Sequence, residues 1–121
     1  MAVVNEVITL NRREGNKGVI IFKWSPLTKT NVSGNPIEVP EYTDKTVQVY
    51  GTFDSGTVTI QGSNDDETSP TYFTANDPSS AALTFTSARG EAVLENPRLI
   101  RPVVSSAGDS TSITVIITCA K

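Results

Sequence analysis

The chain is predicted to be all-β: a two-sheet antiparallel β-sandwich, jelly-roll-like, with an immunoglobulin-like sandwich as the alternative. Three observations lead there. The residue usage is β-branched, with 16 Thr, 13 Val and 9 Ile among 121 residues, few Leu and a single Met. Such side chains lose rotamer freedom in helices and pack well on pleated sheets. No stretch of about a dozen residues keeps a 3.6-residue apolar period, whereas period two recurs. Short apolar runs are interrupted by Pro, Gly, Asn and Asp often enough to give eight or nine short strands. Uneven loop lengths favour the jelly roll. The length suits a single domain over 1–121, and no repeat or linker divides it.

The first strand is predicted over 3–10 and the second over 19–24. Residues 25–36, with Pro26, Gly34 and Pro36, read as a long loop. Residues 37–39 make a short strand that Pro40 ends. Residues 46–50 alternate, Val47 and Val49 on one face and Gln48 and Tyr50 on the other. Residues 57–61 alternate again, with Val58 and Ile60 inward. Asp54-Ser55-Gly56 between them supplies turn chemistry, so this pair is predicted to be a hairpin. After a polar, acidic loop over 63–70, strands follow over 71–74 and 82–86. Residues 91–94 suggest one helical turn. Residues 98–105 form a strand that Pro102, lacking a ladder donor, confines to an edge or a bulge. Residues 112–120 close the chain, with Ile113, Val115, Ile117 and Cys119 on one face.

Composition excludes several function classes. The formal charge is −3 and no basic stripe is present, which argues against a nucleic-acid partner. No segment has the roughly 18 apolar residues that span a bilayer, and no basic n-region opens the chain, so it is expected to be made in the cytoplasm without a membrane partner. There is no histidine, which removes the commonest general base and metal ligand together. The single Cys119 can form no internal disulfide, supplies no zinc site, and reads as a small core residue. No phosphate-cradling glycine motif occurs. No catalytic residue, cofactor or metal is therefore expected. Asp65-Asp66-Glu67 has the oxygen ligands of a calcium loop but not the spacing, and reads as a solvated turn. Glu91 and Glu95 would need a cleft to act as an acid–base pair.

What remains points to surfaces. Trp24 and Tyr42 flank the long loop and are candidate interface aromatics, whether for a protein or a sugar. The segment 95–102 holds two arginines between two prolines. Alternation puts Arg98 on the face of Ile100 and Arg101 on that of Leu99. Either an internal salt bridge or an interface anchor suits each guanidinium, so Arg98 and Arg101 join the candidates.

The stretches VQVYGTF over 47–53, TVTIQGSND over 57–65, LTFT over 83–86, ENPRLIRP over 95–102 and the final TSITVI strand together resemble small proteins encoded in the structural-gene clusters of tailed bacteriophages. The resemblance covers roughly residues 45–120 and implies a capsid cement or decoration protein. Members of that group are small β-sandwiches that sit on the virion exterior and bridge neighbouring major capsid proteins. A self-associating dimer or trimer on the shell is then expected. Another head or tail part, or a carbohydrate-binding module, is the alternative.

Overall fold

The structure, a computed structural model, describes residues 6–9 and 18–121. Among them are ten strands and no helix: β1 (Glu6–Thr9), β2 (Val19–Leu27), β3 (Ile37–Glu38), β4 (Asp44–Thr52), β5 (Thr57–Ser63), β6 (Phe73–Thr74), β7 (Thr84–Phe85), β8 (Arg89–Ala92), β9 (Leu99–Ser105) and β10 (Ser112–Ala120). One sheet has the order β1-β2-β10-β4-β8. The other has the order β3-β9-β5, with β6 and β7 sharing the far edge of β5. All pairs are antiparallel.

Four pairings are nested: β5 with β6, β4 with β8, β3 with β9, and β2 with β10. All are centred on the loop between Ser63 and Phe73, so most of the chain is one long hairpin. It is rolled so that successive nested pairs fall in opposite sheets, and the β4–β10 and β5–β9 pairings close the roll. This is the predicted jelly roll, with β1 added at an edge.

The roll buries one face of β4, β5, β9 and β10, together with Trp24 and Leu27 of β2. Trp24, Val47, Val49, Val115 and Ile117 from the first sheet meet Val58, Ile60, Phe85, Ile100 and Val104 from the second. Each such side chain contributes roughly 1.5–3 kcal/mol relative to an exposed one.

Four expectations are corrected. The 46–50 and 57–61 strands do not form a hairpin; β4 and β5 lie in different sheets. Asp54 and Ser55 adopt positive φ (43° and 70°), and the Gly56 amide donates to the Phe53 carbonyl at 2.7 Å. The tight turn is present, but both edges of β4 and of β5 already have other partners, so the turn crosses between sheets. Residues 91–94 form no helical turn, because β8 pairs with β4 through Thr46–Ala92 to Val49–Arg89. The long loop starts later than expected, since β2 continues through the cis Ser25–Pro26 peptide to Leu27. A register shift opposite Ile113 and Val115 absorbs the extra residue, and Ser25 Oγ meets Thr114 Oγ1 at 2.8 Å.

Lastly, β9 is internal, between β3 and β5. Pro102 turns its carbonyl away from β5 to accept the Gly34 amide at 2.9 Å. Its missing donor falls at the break between β3 and the isolated Ser33–Val103 bridge, where no ladder needs it. The part of the first predicted strand outside Glu6–Thr9 lies outside the described residues.

Candidate interaction surfaces

Trp24 offers nothing to a partner. It is 0% exposed, and its indole N–H donates to the Asn35 carbonyl at 2.9 Å. Alternation along β2 aims it inward opposite Val115, and Gly34 lies flat against its ring. Its assignment as an interface aromatic, and the sugar-binding role built on it, are corrected to a core anchor.

Tyr42 is half-buried, packed on the core margin, with the Lys121 ammonium 5.4 Å from its ring centroid. Its carbonyl accepts a hydrogen bond from Lys45 Nζ at 3.0 Å, and Asn96 Oδ1 accepts another at 2.7 Å. Asn96 in turn donates to the Pro40 carbonyl at 2.8 Å. Lys45 is an inward-facing lysine on β4, directly across from Cys119 of β10. Burial lowers its pKa, against the raising effect of nearby Cys119, Asp44 and Glu95. Glu95 takes the Asn76 amide at 2.8 Å and the Asn76 side-chain Nδ2 at 2.7 Å on its two oxygens. Burial favours its neutral form, but the Asn76 donors, its own backbone amide and the Lys45 charge together hold the carboxyl below its ordinary pKa. Glu95 thus anchors Asn76, next to Ala75, and does not pair with Glu91, which holds Arg89 at 2.9 Å.

Cys119 is fully buried, and burial pushes its thiol up to about 11 from 9.0. An acid whose folded pKa is raised keeps its proton in the fold after the unfolded chain has lost it. Its stabilising contribution is complete below pH 9 and is lost as pH rises to about 11. Between pH 8.5 and 11, the wild type is expected to lose on the order of 2–3 kcal/mol relative to Cys119→Ala. Urea unfolding at the two pH values measures this, and parallel pH profiles for the two proteins would refute it.

Arg98 works inside the fold. Its Nη1 pairs with Glu38 Oε2 at 3.3 Å, Nη2 donates to the Asp65 carbonyl, and the backbone amide donates to Asn64 Oδ1 at 3.1 Å. It ties the loop after β5 to β3. Its Nε is buried without an acceptor. Asp65 accepts the Thr71 amide on Oδ2 and the Glu67 amide on Oδ1, both at 2.8 Å, and these bonds lower its pKa. Its carboxylate folds the loop. Among the described residues, no three His, Cys, Asp or Glu side chains gather where they could hold a metal ion. Arg101 faces outward, stacked 3.8 Å from the Tyr72 centroid and bonded through Nε to Gln61 Oε1 at 2.9 Å. The structure therefore does not bring the four candidates together: Trp24 is interior, Arg98 is braced internally, and Tyr42 and Arg101 keep some surface.

The sequence reading missed the large apolar side chains that do face out: Val32, Tyr50, Phe73 and Leu94, 38–51% exposed. Tyr50 was legible, since it alternates with inward Val47 and Val49. Phe73 lies in β6 and Leu94 just past β8, strands too brief for a period to register. No family profile, curated protein or solved structure matches the chain.

Proposed function

We propose that the protein is a structural part of a tailed-phage particle, seated on the outside of the assembled head and bridging neighbouring major capsid proteins. One observation carries this reading. The side chains with recognisable chemistry, Trp24, Lys45, Glu95 and Arg98, are engaged within the fold, while Tyr50, Phe73 and Leu94 stand outside it. A stiff, filled sandwich with apolar residues on its surface suits a clamp. Tyr42 and Arg101 are its proposed polar contacts. Binding only the assembled lattice stabilises that lattice by mass action, and repetition over a symmetric shell multiplies the effect. The role needs no cofactor, and the sequence resemblance points the same way.

The test is an electron-microscopy map of particles with and without the protein, paired with their heat resistance. Density is expected at repeated positions over the outer shell, and stripped particles are expected to release their genome at lower temperature until the protein is added back. A bare shell with unchanged heat resistance would sink the proposal, and density at the tail alone would favour a tail part.

A further inference from the structure

The first sheet ends at β8, and among the described residues no strand lies beyond it. The Val93 amide donates to the Lys45 carbonyl at 3.0 Å. Alternation then aims the polar groups of Glu91 and Arg89 at β4 as well, and those of Gly90 and Ala92 outward. An outward ladder edge is a template for another strand. The other short edge strands serve less well: β3 has two residues with Pro36 and Pro40 close on either side, β6 and β7 have two each, and β1, at the opposite edge of the first sheet, has four of which only Glu6 is charged, so two copies would bring no opposite charges together. β8 has four residues without proline, and Arg89, Gly90 and Ala92 are exposed.

The sequence of β8 says which strand fits. Turned antiparallel on itself about Gly90, it sets Arg89 opposite Glu91 of a second copy, Glu91 opposite the second Arg89, and Ala92 opposite Ala88. Every charge meets its opposite, and the remaining side chains are small enough for close approach. Gly90 pairs with itself in the hydrogen-bonded position that its outward amide and carbonyl require. Arg89 and Glu91 already share an ion pair at 2.9 Å, so association extends two pairs into a ring of four alternating charges.

We propose that β8 is the contact strand of a two-fold dimer, in which a second copy of this chain continues the five-stranded sheet across Gly90. This inference rests on the strand edge and is independent of the capsid reading, so either can fail alone. One short strand buries less than a stable interface of standard size, so free dimers are weak and local crowding promotes them.

Sedimentation equilibrium of the full chain up to millimolar concentration tests it. A monomer–dimer equilibrium is expected. Arg89→Glu sets like charges opposite each other twice and is expected to weaken the dimer about tenfold. Arg89→Glu with Glu91→Arg restores the pattern and is expected to restore association. Ala92→Pro removes only an outward amide, so it should abolish the dimer while leaving the thermal unfolding of the monomer unchanged. A chain monomeric throughout overturns the proposal. So does a dimer indifferent to Ala92→Pro, or one not rescued by the charge swap.

Discussion

Trp24→Ala is expected to lower the unfolding free energy by about 3–5 kcal/mol. The indole is fully buried at the register shift between β2 and β10, where the sheet is least regular. Its truncation leaves a cavity that the surroundings cannot close. Gly34, which lies against the ring, has no side chain to move in, and the rigid ring of Pro102 stands beside Gly34. The Asn35 carbonyl also loses its donor. Trp24→Phe keeps most of the volume but not the hydrogen bond, and should cost about 1–2 kcal/mol.

The same contact seen from Gly34 gives a sharper check. A Cβ there would lie 2.3 Å from Trp24 Cδ1 and 2.9 Å from Pro102 Cδ, so Gly34→Ala overpacks a site that cannot yield. It should cost about 1–3 kcal/mol alone, and less in the Trp24→Ala background, where its methyl enters vacated space. Urea unfolding of the four proteins closes this double-mutant cycle. Simple additivity, or a loss below about 1 kcal/mol for Trp24→Ala, would show that the indole is not packed as described.

Alternation made much of this legible. Ile20, Phe22 and Trp24 pair across the sheet with Cys119, Ile117 and Val115, and both runs carry the period-two signal. Partner choice was not legible. The nested pairings join residues as far apart as Val19 and Ala120, and local turn chemistry says nothing about so distant a partner. The long loop hid Leu27, because Pro26 ordinarily ends a central strand and only a register shift accommodates it. Lys45 lies in phase with Val47 and Val49, but lysine is so seldom buried that its residue type outweighed its position. Arg98 was open between a brace and an anchor because its acceptors, Glu38 and the Asp65 carbonyl, come from remote segments.

Where local signal and long-range pairing disagree most, at the turn from β4 to β5, the second large effect is expected. Gly51 has φ +130°, a conformation open almost only to glycine, and a Cβ there would sit 2.3 Å from the Ser112 carbonyl oxygen. That oxygen belongs to the β10 backbone, paired with β4 in the middle of the first sheet, so it cannot swing aside as a side chain would. The turn that follows is tied to the same region. Thr111 Oγ1 donates to the Phe53 carbonyl at 2.8 Å, the Ser110 amide to Asp54 Oδ2 at 2.9 Å, and the Gly108 amide to the Asp54 carbonyl at 3.1 Å. Gly51→Ala therefore combines backbone strain with a shift of β10 and should cost at least about 3 kcal/mol. Gly90→Ala is the matched control. Its nearest contact is the Val47 carbonyl oxygen at an ordinary 3.4 Å, and its change should stay within about 0.5–1 kcal/mol. Amide exchange on Gly51→Ala should show protection lost along the β4–β10 ladder, because Gly51 pairs with Ile113 within it. Equal stability for the two variants would mean that Gly51 does not lie strained against the Ser112 carbonyl, and so that the chain does not leave β4 for β5 by this crossing.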